Sequence, residues 1–195
     1  MVRLFLYISL LQIAVCAQVQ SNLTIITGLV DSSVDMFQKD IPSQSKVFLN
    51  YQSMLGETFF LNRIQSKLSR IGAEFIFNQG NADLTLNYTI EDAGVKYDKV
   101  FKDGLLDDFE VERSVFLKGS YQLYAKSHMV KSNGFSYEAK DTIDYKIVKD
   151  VQHPSLAFTQ ADLPDEPFWN SLIEPAIAIG AIIVTIFLFF TVRSK

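Results

Sequence analysis

The hydrophobic period of this 195-residue chain changes once, from about 3.6 residues to about two, near residue 82. Beyond that point Leu84, Leu86, Tyr88 and Ile90 alternate with Thr85, Asn87 and Thr89. In a second segment Val115, Leu117, Gly119, Tyr121, Leu123 and Ala125 share one face, and Phe116, Lys118, Ser120, Gln122 and Tyr124 share the other. In a third, Phe135, Tyr137, Ala139, Ile143, Tyr145 and Ile147 oppose Ser136, Glu138, Lys140, Thr142, Asp144 and Lys146. Side chains along a strand alternate between faces, so each segment predicts a half-buried strand whose register a one-residue slip would ruin. Ser132-Asn133-Gly134 reads as the hairpin turn joining the last two strands.

Upstream, Ile26, Leu29, Val30, Val34, Phe37 and Ile41 recur at helical spacing and predict a helix over 22–40 that Pro42 ends. Lys46–Tyr51 is a short apolar strand, and 55–71 is a second helix with Phe59, Phe60, Ile64, Leu68 and Ile71 on one stripe and Gly72 as its C-cap. Ala73–Phe77 follows as a strand and Asn78–Asn81 as a turn, while 93–110 is irregular and predicts a long loop. The plan is α+β, with two helices packed on a mainly antiparallel sheet.

The two ends differ from this middle. Residues 1–17 have the form of a secretory signal peptide: Arg3, an apolar run over Leu4–Val15, and small residues at Val15 and Ala17 before a cleavage point. A second reading makes Ile13-Ala14-Val15-Cys16 a lipoprotein signal with an acylated Cys16. At the other end, Pro175–Val192 carries no charge and predicts a transmembrane helix over 172–192. Its anchor residues would be Trp169 in an interfacial belt, Pro175 in the first turn, Gly180 at a close helix contact, Phe187 and Phe190 in lipid, and Arg193 and Lys195 on the cytoplasmic side. Between these ends lie an extracytoplasmic α+β domain over 18–148 and an extended juxtamembrane strap over 149–171, with 193–195 as a cytoplasmic tail. The expected location is the cell membrane: single-pass, with the N-terminal domain outside.

The formal net charge is −4, and without the two ends the remainder holds 15 bases against 21 acids. That balance, with no basic block, argues against a nucleic-acid partner. Cys16, the only cysteine, lies in the leader, so the mature domain has neither a disulfide nor a thiolate ligand set. His128 and His153 stand alone, and Asp107, Asp108, Glu110 and Glu112 lack the spaced oxygen ligands and glycine of a calcium loop. No catalytic, cofactor-binding or metal-binding residue is assigned, and an enzyme is not expected. Asn22-Leu23-Thr24 and Asn87-Tyr88-Thr89 are sequons. Phe116 and Tyr124 lie on the less apolar face of their strand, where they offer a partner surface unless the first helix covers that face.

The order of segments from KVFLNY through ADLTLNYTIEDAGVKYDKVF to VERSVFLKGSYQLYAK and EAKDTIDYKIV resembles small α/β domains of the bacterial envelope, of the curli-secretion lipoprotein and transporter auxiliary lipoprotein type. It covers roughly 46–148 and rests on an ADL-x-L-x-Y-x-I pattern and a basic VER opening a strand. The resemblance implies a non-enzymatic envelope component and carries over no functional residue. The expected function is a membrane-anchored interaction or assembly domain whose partners are the bilayer, through helix 172–192, and another envelope protein. A homodimer through Ala176 and Gly180 is the further option. The alternative is a carrier or sensor for a small apolar ligand on a sheet face bearing Tyr121, Leu123, Tyr137 and Tyr145.

Overall fold

The computed structural model describes residues 19–55, 58–102, 104, 107–165 and 168–192, with side chains of the last segment described at 172 and 175–191. The signal peptide with Cys16, the Trp169 side chain, Arg193 and Lys195 lie outside the described residues.

Helix α1 spans Asn22–Phe37, and its start follows from Ser21, whose hydroxyl accepts from the Thr24 N–H at 3.2 Å. Strand β1 is Lys46–Ser53 and helix α2 is Phe59–Arg70. Gly72, at φ +91°, turns the chain out of α2 into the two-residue β2, Glu74–Phe75. The long strands β3 (Leu84–Phe101), β4 (Glu110–Ala125) and β5 (His128–Asp144) follow, and then the short helix α3, Val148–Val151. Helix α4 spans Phe168–Val192.

The five strands form one sheet in the order β2-β1-β3-β4-β5. The sheet is mixed: β1 pairs in parallel with both β2 and β3, whereas the longer β3–β4 and β4–β5 ladders are antiparallel. Alternating side chains look the same in either direction, so the pattern alone does not encode this. The loop expected over 93–110 is also corrected: β3 runs on to Phe101. Register shifts between Ile90 and Asp92 and between Tyr97 and Val100 lengthen the inward spacing, from Ile90 to Ala93 and from Tyr97 to Val100, so a strict period of two disappears from the sequence. Ser132-Asn133-Gly134 is not a turn; these residues lie inside β5 opposite Gln122, Tyr121 and Ser120. The chain reverses instead at Lys126 and Ser127, with Lys126 at φ 54°.

Both α1 and α2 pack on one face of the sheet, giving two layers. The core lies between them, where Ile26, Val30, Val34 and Phe37 of α1 and Phe60, Ile64 and Leu68 of α2 meet Leu86, Tyr88, Ile90, Leu117, Tyr121 and Leu123. The Phe37 ring lies 4.7 Å from Tyr121 and 6.0 Å from Tyr88, centroid to centroid. Within the strap expected over 149–171, α3 buries Val148 and Val151, and a 3-10 turn at Ala157–Thr159 buries Phe158 and Thr159. Phe158 sets its ring 5.7 Å from Phe60.

Helix α4 begins at Phe168, which puts Pro175 inside it and not in its first turn. Thr185 and Thr191 donate to the carbonyls of Ala181 and Phe187, each at 2.8 Å, as hydroxyls on an apolar helix do. Phe187 and Phe190 are exposed, and a Cβ at Gly180 would meet nothing within 4 Å. Among the described residues no helix is long and apolar enough to cross a membrane. The transmembrane helix at 172–192, and the single-pass localisation with its N-out orientation, are corrected accordingly.

Candidate interaction surface

Arg113 is the largest fully buried side chain among the described residues and ties distant segments together. It lies on the helix-covered face of β4, where a cation needs every donor satisfied. Its Nε and Nη2 grip Asp141 of β5 at 2.8 and 2.5 Å. Nη1 donates to the Gln20 carbonyl at 2.9 Å and to Asn22 Oδ1 at 2.8 Å. Asn22 in turn donates to Tyr97 Oη and to the Thr159 carbonyl, each at 2.9 Å. One network therefore joins the segment before α1, strands β3, β4 and β5, and the turn after α3. It also settles the first sequon: Asn22 is fully buried with both ends of its amide engaged, leaving no room for a glycan.

Among the described residues no helix packs on the opposite face of the sheet. Across it run rows of uncharged polar side chains: Asn50 donates to Asn87 at 3.2 Å, Asn87 lies 3.5 Å from Gln122, and Tyr124 donates to the same Gln122 oxygen at 3.1 Å. Phe116 and Tyr124 both lie on this face, half-buried. The structure does not bring them together, since eight residues of one strand separate them by about 26 Å. Phe116 covers Gly94, where a Cβ would approach its ring to 2.9 Å, and carries the Lys96 ammonium 5.5 Å from its centroid. Asn87, the second sequon, opens onto this face beside Gln122.

The outer edge of the sheet is β5, seventeen residues long and exposed at most positions. An edge strand leaves alternate backbone N–H and C=O groups without a ladder partner. No proline interrupts β5, and its charged side chains are Lys131, Glu138, Lys140, Asp141 and Asp144. Lys131 is held by Asp40 at 2.5 Å, which raises its pKa, and Asp141 is held by Arg113. The Ser114 hydroxyl, donating at 2.5 Å, and Lys140 keep the Glu138 carboxyl below the usual carboxylate range. Sequence patterning gave no sign that this strand is the edge, because strand order is a tertiary property.

The pocket required by an apolar-ligand carrier is filled. Tyr121 and Leu123 are fully buried beneath α1, Tyr137 stacks 6.0 Å from Phe135, and Tyr145 packs against Phe109. Burial pushes the Tyr88 and Tyr121 phenols up; the Ser33 hydroxyl opposes this at Tyr88. His128 and His153 are both exposed, and His153 Nδ1 accepts the Ser155 N–H in a turn. The acidic groove of about 140 Å³ at Asp107, Asp108, Glu110 and Asp144 is partly neutralised by Lys146, which donates to Asp108 at 2.5 Å and lowers its pKa. Among the described residues no group of three His, Cys, Asp or Glu side chains is placed to hold a metal ion.

No family model matches the chain, and no curated protein matches it. Among solved structures it is similar to a neuraminyllactose-binding hemagglutinin homolog from Helicobacter pylori, at 12% identity and TM-score 0.34, over 53% of this chain and 68% of that one. It is similar to a minor lipoprotein from Acinetobacter baumannii at 10% identity and TM-score 0.35, over 55% and 71%. It is also similar to the rare lipoprotein B from Shewanella oneidensis at 10% identity and TM-score 0.33, over 75% and 97%. Two of these three neighbours are bacterial lipoproteins, none of them named as a curli-secretion or transporter auxiliary lipoprotein, and at these scores the overlap is partial.

Proposed function

We propose that this chain is a non-enzymatic interaction domain of the cell envelope that holds an extended strand of a second polypeptide along β5. The observation that carries the reading is the edge itself: a long, exposed, proline-free strand with no further strand beside it among the described residues. Strand addition draws affinity from backbone hydrogen bonds and selectivity from alternate side chains, so it needs neither a cavity nor a catalytic group. The envelope assignment follows the secretory character of residues 1–17. A partner strand beside β5 runs about 10 Å from β4, with Phe116 opposite Glu138 and Tyr124 opposite Met129 one strand further in. In this reading the two rings contact the partner's longer side chains, and the Arg113 network keeps β5 straight against β4.

Photo-crosslinking side chains at Ser136, Lys140 and Thr142 of the full chain, in its native cell envelope, test this. Adducts should map onto residues of one partner segment at two-residue intervals, in step with the crosslinker positions, while the same group at Asn62 on α2 gives none. Adducts that scatter over a folded surface, or that form equally from Asn62, would sink the proposal.

A further inference from the structure

The edge of β5 carries a charge pattern complementary to itself. Glu138 and Lys140 lie two positions apart on the helix-free face, opposite Phe116 and Ser114 of β4, with Ala139 between them on the other face. Both are exposed, and within one chain Lys140 Nζ lies 3.3 Å from Glu138 Oε1. Glu138 is ionised at neutral pH, since the Ser114 hydroxyl and Lys140 lower its pKa. A second β5 laid antiparallel about a two-fold axis through Ala139, perpendicular to the sheet, keeps the two faces matched. It sets Glu138 of each copy opposite Lys140 of the other.

We infer that β5 pairs with β5 of a second copy of this chain in this register, joining two five-stranded sheets into one. The inference rests on the reading of β5 as the docking edge and names an occupant for it. Residues 134–144 of each copy form the seam. On the helix face, Phe135 stands opposite Ile143 of the other copy, and Tyr137 stands opposite Asp141. On the open face, Ser136 meets Thr142, and Gly134 meets Asp144. The end of β5 that α1 and its 3-10 extension overhang, where Lys131 binds Asp40 and Asn133 reaches Met36, stays outside the seam.

The alternative registers are opposed by the same charges. An axis through position 138 sets Glu138 against Glu138, and one through 140 sets Lys140 against Lys140; like charges directly opposite destabilise a strand pair. An axis through Ser136 matches Asp141 with Lys131, but Arg113 and Asp40 of their own chains already hold both. Charges on an edge strand ordinarily block unplanned pairing. Here they oppose the registers centred on 138 and 140 and attract in the one centred on 139.

Cysteine scanning of the full chain in detergent, in a Cys16→Ser background, tests the pairing. Opposed residues of antiparallel strands lie about 4.5–5.5 Å apart between Cα atoms, within disulfide reach. Ala139→Cys should give a disulfide-linked dimer on mild oxidation, while Ser136→Cys and Tyr137→Cys, which report other registers, should stay monomeric. E138K and K140E should each weaken the dimer by about tenfold or more. The double exchange E138K/K140E restores opposite charges across the seam and should restore dimerisation. Crosslinking at 136 or 137 equal to that at 139, or a double exchange no better than either single variant, overturns the inference. If Ala139→Cys fails to crosslink while the two-residue ladder to a different protein persists, the dimer is refuted and the docking edge stands. If the ladder is absent as well, both readings fall.

Discussion

Arg113 donates to Asn22 Oδ1 at 2.8 Å, joining residues 91 positions apart, and no part of its side chain is exposed. Asn22 opens α1, so this contact fixes the start of the helix that covers the core. A buried guanidinium with one donor orphaned is expensive, since its hydration was surrendered on folding. Arg113→Ala should therefore destabilise the domain by about 3–5 kcal/mol, and Asn22→Ala by about 1–3 kcal/mol. Because both variants remove the same bond, urea-denaturation midpoints of the double variant should show a smaller loss than the sum of the two. A purely additive result would mean that the network does not act as a unit.

Two glycines of adjacent strands should respond oppositely to a methyl group. A Cβ at Gly119 would stand 2.3 Å from the Thr89 carbonyl oxygen and 2.6 Å from the Phe135 ring, and backbone cannot step aside as a side chain can. Gly119→Ala should cost about 1–3 kcal/mol or more. A Cβ at Gly134 would stand 3.7 Å from the Gly119 carbonyl, an ordinary contact. Gly134→Ala should be neutral or slightly stabilising, because alanine loses less backbone freedom on folding. Thermal unfolding of the two variants side by side checks both.

Among the described residues Tyr121 has the one buried side-chain polar atom without a hydrogen-bond partner, its phenolic oxygen beneath α1. Removing an unsatisfied hydroxyl removes its desolvation penalty and leaves the ring contact with Phe37 in place. Tyr121→Phe should raise the denaturation midpoint or leave it unchanged, by up to about 1 kcal/mol. A loss above that range would reveal a hidden partner for the hydroxyl.

Asp31 of α1 binds Arg63 of α2 through a paired hydrogen bond, and that bond, with the charges of Arg63, Lys67 and Arg70, holds its pKa below the ordinary 3.8 despite some burial. A carboxyl with a depressed folded pKa contributes stability that is full above its unfolded value and is lost as pH falls through the folded one. The contribution should therefore persist at neutral pH and be lost progressively as pH falls below about 4. Asp31→Asn should lower the urea midpoint at pH 7 and leave it nearly unchanged near pH 2. An equal decrement at both would assign the effect to packing.

Much of the fold was legible because the residues that announce it are local. The spacing from Ile26 to Phe37 marks α1, Gly72 the end of α2, and the alternation in 84–90 and 114–125 gives strands whose inward faces are those found in the core. The rest failed for physical reasons particular to each place. In β3 two bulges shift the inward positions from Ile90 to Ala93 and from Tyr97 to Val100, and a periodic template reads the result as disorder. Ser-Asn-Gly promised a turn at 132–134, but β4 already offered it a straight partner, and the reversal fell at Lys126. Arg113 was visible only as a basic residue opening a strand, since its partners come from Gln20, Asn22 and Asp141, far away along the chain.

Sequence alone determined α1, α2 and the alternating parts of β3, β4 and β5, with the faces of those segments that are apolar, because these depend on neighbours within a few residues. Only the tertiary structure decided that β1 runs parallel to β2 and β3, that both helices share one face, that Arg113 is buried, and that β5 is left at the edge. Each of those is a choice among long-range pairings that satisfy the same local pattern. It is settled by which arrangement buries the apolar faces while giving the costliest buried donor, the Arg113 guanidinium, its acceptors.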